Sequence, residues 1–357
     1  LEGNLLAKAK VKVGIVGYGM IGCRCADAVS LQPDMKLLGI ADAVVDYRIK
    51  AAYEKGYEIY ASPPERLDEM SRAGITLAGT LDDLLKAVDV IIDATPAGIG
   101  ARMKALYDKA GVKAIFQGGE KHEMAGHSFV AEMNYETALG RQFTRVVSCN
   151  TTGICRVIGS LHKAGLVERA WAVLARRTTD PWKAHSRATL DTVVPETHIP
   201  SHQGPDAQTV IPDLPITTIA AKGPYTISHI HFAVIKAPRG LSKEEVLTVL
   251  DKARRVCFVD TADGLVDLAS VMELMKMLGR PMGDMWEVAV WRDILATKND
   301  EIYMVYQVHN LAIVIPENID AIRALAELES NPARCMDLTD KALGIKKHFF
   351  SRVEAKG

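Results

Sequence analysis

The chain has no surplus of charge of either sign and no long basic run: lysine and arginine number 43 against 44 aspartates and glutamates. A nucleic-acid surface therefore has no compositional support, and a small molecule is the expected partner. A membrane-length apolar run is absent too, and no long apolar stretch follows the opening Leu1-Glu2-Gly3-Asn4. A soluble, cytoplasmic protein with no membrane association is expected. Cysteine is sparse, at positions 23, 25, 149, 155, 257 and 335. Such scatter is unlike a disulfide-stapled secreted domain and fits a reducing cytosol. Cys23 and Cys25 have no second close pair, and Cys149 and Cys155 have no histidine pair at finger spacing, so no metal site is expected. Neither an internal repeat nor a low-complexity linker interrupts the 357 residues, and since single cores seldom grow past about 250–300 residues, two domains are expected.

What is present begins with the β-rich run Val11 to Val16, then Gly17-Tyr18-Gly19-Met20-Ile21-Gly22 and a helical continuation from Cys23 to Leu31. This is a G-x-G-x-x-G turn in a strand–turn–helix setting. Its first glycine permits the tight turn, the second lets a pyrophosphate approach backbone N–H groups, and the third lets helix and strand pack closely. A second strand, Met35 to Ile40, ends in Ala41-Asp42, twenty residues after the last glycine of the turn. A carboxylate there accepts from ribose hydroxyls and repels a 2′-phosphate, so NAD is the expected cofactor with NADP as the alternative. A strand-end aspartate facing water is the plainer reading.

Strand and helix keep alternating through Ile75 to Ala78, Leu81 to Ala87, Val88 to Ala94 and a helix ending at Ala110. This rhythm predicts an α/β fold with a doubly wound parallel sheet. The loop Thr95-Pro96-Ala97-Gly98-Ile99-Gly100 would lie at the carboxyl end of a strand, where a dinucleotide crosses. Val112 to Phe116 followed by Gln117-Gly118-Gly119-Glu120-Lys121-His122 repeats the arrangement, with Lys121 read as a loop cation.

About 130 residues after the glycine turn, Ser148-Cys149-Asn150-Thr151-Thr152-Gly153 follows the strand-like Phe143 to Val147 and precedes a helix-like stretch from Gly153 to Gly165. Cys149 would sit just before a helix N-terminus, where unpaired N–H groups favour a thiolate and hold a developing oxyanion. A buried structural cysteine is the competing reading.

Beyond it the strands lengthen: Ala170 to Arg176, Thr217 to Ala221, Thr226 to Lys236 and Glu301 to Val308 predict a second, α+β domain with a mostly antiparallel sheet. The long segment Thr178 to Pro215 suits a loop over the active site or a subunit contact. Arg176-Arg177 ends a strand and is suited to a bidentate grip on phosphate, or to a solvated face. His229 and His231 stand two apart and share one face of their strand. Either suits a base toward Cys149, or a structural hydrogen-bonding role.

These motifs together resemble the archaeal-type (class II) phosphorylating glyceraldehyde-3-phosphate dehydrogenases over almost the entire chain. The likeness rests on the Gly17 to Gly22 turn with Arg24 and Ala26-Asp27-Ala28, on Thr95 to Gly100, and on Phe116 to Glu123. It rests further on Thr144 to Gly153, on Pro200-Ser201-His202 with Gly204-Pro205-Asp206, and on Ile315-Pro316-Glu317-Asn318. The resemblance implies Cys149 as nucleophile, His229 as catalytic histidine with Asn150 beside them, and Arg176, Arg177, Thr151, Thr152 and His202 around the substrate. It implies cofactor contacts from the glycine turn, Thr95, Pro96, Gly98, Gln117 and Gly118, to which the spacing after the glycine turn adds Asp42. The substrates implied are a phosphorylated aldehyde and inorganic phosphate, and the assembly a homo-oligomer, usually a tetramer. Residues 1–148 are then the NAD-binding domain, 149–312 the catalytic domain, and 313–357 a helical segment returning to the nucleotide domain. The chain departs from the pattern at Asp42, where a lysine is frequent, at Gln203 in place of a second histidine, at Phe232 in place of an asparagine, and at Asn310-Leu311 after His309. These changes leave room for a related aldehyde.

Three other readings compete. A semialdehyde dehydrogenase that reduces acyl phosphates shares the architecture and the cysteine. A sugar oxidoreductase in which lysine handles protons is loosely matched by Glu120-Lys121, although no proline follows Lys121. A nucleotide-sensing protein needs only the glycine turn and leaves Cys149, His229 and the arginine pair unexplained.

Overall fold

A computed structural model describes residues 10–350, Ala188 apart; the opening Leu1–Asn4 lies outside the described residues. The described residues divide into two compact units, one of residues 10–147 with 315–343 and the other of residues 148–314 with 344–350.

The first unit is built on eight parallel strands: β1 Val11–Val16, β2 Met35–Asp42, β3 Ile59–Ala61, β4 Leu77–Thr80, β5 Val90–Asp93, β6 Lys113–Phe116, β7 Ser128–Phe129 and β8 Phe143–Val146. Their order is β4-β3-β2-β1-β5-β6-β8-β7. Central strands of such a sheet are buried on both faces and read as apolar runs; Val13, Ile15, Ile40, Val90, Ile91 and Ile92 are fully buried. The direction of winding reverses between β1 and β5, so the loops leaving their carboxyl ends, Gly17–Gly22 and Thr95–Gly98, flank one switch point. Gly17 has φ +86°, and a Cβ on Gly22 would lie 1.9 Å from the Gly17 carbonyl oxygen. No other residue closes this turn against the helix Met20–Ser30.

The helices Ile315–Leu325 and Pro332–Leu343 complete this unit. Arg323, fully buried, holds them there: its Nε and Nη2 donate to the two carboxylate oxygens of Asp34 at 2.8 Å each, Nη2 also to Gln32 Oε1 at 2.8 Å, and Nη1 to Thr339 Oγ1 at 2.6 Å. With four of its five N–H donors engaged and the Asp34 carboxylate opposite it, the charge is compensated.

The second unit carries a mixed sheet: β9 Arg169–Arg177, β10 Val194–Pro195, β11 Ile216–Gly223, β12 His229–Lys236, β13 Val256–Val259, β14 Val288–Trp291, β15 Ala296–Lys298 and β16 Glu301–Val308. The order is β10-β11-β9-β12-β16-β14-β13, with β15 beside β16. Only β11 with β9 and β13 with β14 pair in parallel. Along β9 the residues Ala170, Ala172 and Leu174 are buried while Trp171 and Val173 are exposed, and along β12 His229, His231, Ala233 and Ile235 are buried while Phe232 is exposed. One face is therefore packed and the other open.

Several elements differ from the sequence expectation. The strand expected from Thr226 begins only at His229, because Ser228 takes φ +68° and its N–H donates to Asn310 Oδ1 at 2.7 Å. The run Val256–Val259 is a strand although its four apolar residues have no period that separates strand from helix. The expectation placed all of 313–357 with the nucleotide domain; instead, the described residues from Gly344 onward belong to the second unit. There Lys347 Nζ donates to the carbonyls of Leu250, Ala253 and Val256 at 2.9, 2.8 and 2.7 Å.

Candidate active site

Cys149 is the first residue of the helix Cys149–Ile154, which runs on through a π-helical turn, Cys155–Gly159, into Ser160–Lys163. Ser148 caps it, its Oγ accepting from Thr151 N at 3.3 Å, an interaction worth about 1 kcal/mol. The Thr151 hydroxyl donates to Asp206 Oδ2 at 2.7 Å, so the Ser148 hydroxyl proton must supply the 2.8 Å contact with Thr151 Oγ1. Further along, Arg156 is buried and donates to the Trp286 and Ile313 carbonyls at 2.7 and 3.0 Å, fixing the helix lengthwise. A Cβ at Gly153 would come within 2.5 Å of Val308 Cγ2. The glycine thus lets the cysteine helix settle onto β16.

That placement sets Cys149 Sγ 3.3 Å from His229 Nε2, and the Arg177 main-chain N–H donates to His229 Nδ1 at 3.0 Å. His231, on the same face, meets Asn150 Oδ1 through Nε2 at 2.9 Å, and Asn150 Nδ2 lies 3.8 Å from the sulfur. Among the free cysteines, Cys149 and Cys23 are partly exposed and Cys25, Cys155, Cys257 and Cys335 are buried. Burial pushes the Cys149 thiol up, against the opposing charge of Arg177, the N–H of Asn150 and the charge of Arg176. Burial, then Arg177, His231, Arg176 and His309, holds His229 well below the ordinary histidine value. His231 is pushed down to about 3, chiefly by burial and then by Arg176. The arrangement presents a reachable sulfur to an electrophilic carbon, with N–H groups around it for an oxyanion.

Arg176 forms an ion pair with Glu196, whose other oxygen lies 3.4 Å from His202 Nδ1, and Arg177 Nη2 pairs with Asp180 Oδ1 at 2.7 Å. The Nε atoms of both arginines are buried without a hydrogen-bond partner. Two guanidinium groups thus flank the cysteine with donors to spare for an anion. Thr151 and Thr152 are fully buried in the helix, and the Thr152 hydroxyl has no partner, whereas His202 is exposed. Gln203 is also fully buried with both amide atoms unpartnered. Glu196, Asp180 and Asp206 were not foreseen as site residues. Asp206 stands in a quoted motif, but nothing local signals that its carboxylate reaches Thr151.

In the first unit, Tyr18 is buried and its N–H donates to Asp42 Oδ2 at 2.6 Å, while Asp42 Oδ1 accepts from Ala43 N and Val44 N at 2.7 and 2.9 Å. A Cβ at Gly19 would meet nothing nearer than Arg48 Nη1 at 3.8 Å, leaving room for a bulky group above the turn, with Met20 and Ile21 opening the helix behind it. Thr95 is fixed by Asp93, which accepts from its N–H at 3.0 Å and its hydroxyl at 2.5 Å, and Gly98 N donates to Glu120 Oε1 at 2.8 Å. Pro96 and Gly98 are exposed. These residues fit a dinucleotide: a glycine-lined cradle, a helix start and a strand-end carboxylate. Gln117 differs, since its amide is paired with that of Asn318 through contacts of 2.7 and 3.2 Å, leaving Gly118 as the open main chain of that loop. Among the described residues no cluster of three histidine, cysteine or acidic side chains could hold a metal ion, and no helix is long and apolar enough to cross a membrane.

A family model described as the C-terminal domain of glyceraldehyde 3-phosphate dehydrogenase matches residues 148–293. A glyceraldehyde-3-phosphate dehydrogenase of Methanococcoides burtonii is 45% identical over 337 residues, 94% of this chain and 99% of its own length. One from Thermococcus kodakarensis is 44% identical over 338 residues, 95% of this chain and 100% of its own. In three dimensions the chain is similar to the crystal structure of aspartate semialdehyde dehydrogenase II from Vibrio cholerae, at a TM-score of 0.64 and 12% identity, covering 89% of this chain and 98% of that one, a likeness of fold. With identities near 45% over nearly the whole length, the chain belongs to the glyceraldehyde-3-phosphate dehydrogenase family.

Proposed function

We propose that the chain is a phosphorylating aldehyde dehydrogenase that converts glyceraldehyde 3-phosphate, inorganic phosphate and NAD(P) to 1,3-bisphosphoglycerate and NAD(P)H in glycolysis or gluconeogenesis. The observation that carries this is Cys149 at the start of its helix, 3.3 Å from His229 Nε2, in a chain of this family. The Cys149 thiolate bonds to the aldehyde carbon, and the N–H groups around the sulfur hold the resulting oxyanion. Arg176 and Arg177 hold the substrate phosphate. The Gly17–Gly22 turn, Asp42 and the Thr95–Gly98 loop would hold the cofactor, and when bound its nicotinamide supplies the acceptor for the hydride. The thioester left on Cys149 is then open to attack by inorganic phosphate, which releases the acyl phosphate and the sulfur.

The preference for NAD over NADP rests on Asp42 at the end of β2. A homo-oligomer, a tetramer by resemblance, is supported by the exposed apolar side chains Trp171, Val173, Ile219 and Phe232 on the open face of the second sheet, which a second copy would cover. The cytoplasmic setting rests on the six free thiols.

The test follows absorbance of the reduced cofactor with glyceraldehyde 3-phosphate, with and without phosphate, with Cys149→Ser as the blank. Phosphate-dependent turnover that the variant lacks is the expected result. Turnover with aspartate semialdehyde but not with glyceraldehyde 3-phosphate would move the assignment to the semialdehyde class.

A further inference from the structure

A residue other than glycine that is kept in the left-handed region costs free energy, so its surroundings must hold it there. Ser228 is such a residue, at φ +68° and fully buried, where the chain leaves the turn between β11 and β12. The protons around it each have one place. A peptide N–H must donate, so the Asn310 amide turns its oxygen to Ser228 N, at 2.7 Å. A carbonyl must accept, so Gln307 turns its nitrogen to Leu268 O at 3.3 Å, and the same nitrogen donates to Ser228 Oγ at 2.9 Å. The Ser228 hydroxyl proton then goes to Met272 Sδ at 3.5 Å. Gln307 and Asn310 are buried as well, Gln307 on β16 opposite Ile230 and Asn310 just past the end of that strand. His309 Nδ1 accepts from Leu311 N at 3.3 Å and Ala312 N at 3.0 Å, which fixes the turn that carries Asn310.

The bend at Ser228 brings the chain to the end of β9 twice. Before it, the Tyr225 carbonyl accepts from Thr178 N at 2.9 Å; after it, His229 Nδ1 accepts from Arg177 N at 3.0 Å. Two successive residues, 177 and 178, are thus tied to the chain on either side of Ser228. An extended residue 228 would run the strand straight on and draw Tyr225 away from Thr178. The end of β9 matters to the sulfur: burial raises the Cys149 thiol, and Arg177 leads the groups acting against it, followed by the Asn150 N–H and Arg176.

Resting on the thiol chemistry proposed above, we propose that Asn310 is a positioning residue of the active site. By accepting from Ser228 N it holds the left-handed bend that keeps the end of β9, with Arg177, beside Cys149 and His229. Gln307 anchors the same bend through the Ser228 hydroxyl. Both act through Ser228.

Two variants separate positioning from stability. Asn310→Ala removes the acceptor and lets Ser228 relax. Asn310→Ala combined with Ser228→Gly removes the same acceptor but places at the bend a residue that takes positive φ freely. Three quantities are measured: melting temperature, kcat, and the pH midpoint of Cys149 alkylation by iodoacetamide in cofactor-free enzyme, followed on the Cys149 peptide by mass spectrometry. Both variants lose a buried hydrogen bond and should melt below wild type. Asn310→Ala should move the alkylation midpoint up by about one pH unit and lower kcat about tenfold, as Arg177 leaves the sulfur and the thiolate fraction falls. The double variant should bring the midpoint back to within about 0.3 pH unit of wild type and kcat to within about threefold, while its melting temperature stays low. An unmoved midpoint in Asn310→Ala, or an equal shift in both variants, would overturn the proposal and leave Asn310 a stabilising residue alone. If Asn310→Ala does not fold, the double variant carries the test, and its own failure to fold would overturn the proposal in the same way. Alkylation needs no aldehyde, so a wrong substrate assignment would remove the turnover and leave the midpoints intact.

Discussion

His231 Nε2 lies 2.9 Å from Asn150 Oδ1, and this contact decides which end of the Asn150 amide faces Cys149. With Oδ1 turned to the ring, Nδ2 is left 3.8 Å from the sulfur, where it donates. The second histidine thus acts through a neighbour, while the first meets the sulfur itself.

Removing this clamp should affect chemistry more than binding. His231→Leu frees the amide to rotate and is expected to lower kcat about tenfold with KM nearly unchanged, while His231→Gln, which retains a donor, should recover most of the rate. Steady-state kinetics on the three proteins is the measurement; a rise in KM alone would place His231 in substrate binding.

Arg176→Ala or Arg177→Ala should raise KM for a phosphorylated aldehyde far more than for an unphosphorylated analogue. Losing a charge-assisted contact costs about 1.5–3 kcal/mol, roughly ten- to a hundredfold. Because Arg176 is paired with Glu196, Glu196→Gln should in turn tighten phosphate binding. Equal effects on both aldehydes would mean that the arginines serve only structure.

Wild type should favour NAD over NADP in kcat/KM, and Asp42→Asn should narrow that ratio by on the order of tenfold by removing the charge that opposes a 2′-phosphate. Asparagine keeps an oxygen for the Ala43 and Val44 N–H groups, which Asp42 Oδ1 now accepts, while its NH2 takes the place of Oδ2 and the Tyr18 N–H loses its acceptor. Asp42→Lys should narrow the ratio further, though those three donors then lose their acceptor. An unchanged ratio in Asp42→Asn, or a wild type that prefers NADP, refutes the role.

His127 should make stability depend on pH in the mildly acidic range. Burial, followed by the charges of Arg141 and His122, pushes it down from 6.5 to about 4, and its ring nitrogens are taken by the hydroxyls of Thr144 and Thr137 at 2.7 and 2.8 Å. The unfolded chain takes up the proton first as pH falls. The contribution of this residue is therefore complete above about pH 6.5 and is lost progressively toward pH 4. Urea midpoints across that window should fall in wild type and fall less steeply in His127→Gln; parallel slopes would show that other groups dominate.

Local pattern carries part of this molecule. The glycine turn is legible because only residues without Cβ fit where Gly22 packs on the Gly17 carbonyl, and the parallel sheet because buried strands need continuous apolar runs. Cys149 at a helix start is legible from the change of period on either side of it. Alternation puts His229 and His231 on one face of β12, yet it cannot say which reaches the sulfur.

That choice belongs to the tertiary structure. The cysteine helix, seated on β16 through Gly153 and held by Arg156, sets the sulfur against His229 and leaves His231 to Asn150. The same holds for Arg176 with Glu196, Thr151 with Asp206 and Gln117 with Asn318. Sequence periodicity fixes the face a side chain takes, because it follows from backbone geometry over a few residues. Partners tens or hundreds of residues apart are set by how whole elements pack, since hydrogen bonds form only over about 3 Å and that separation depends on every layer between them.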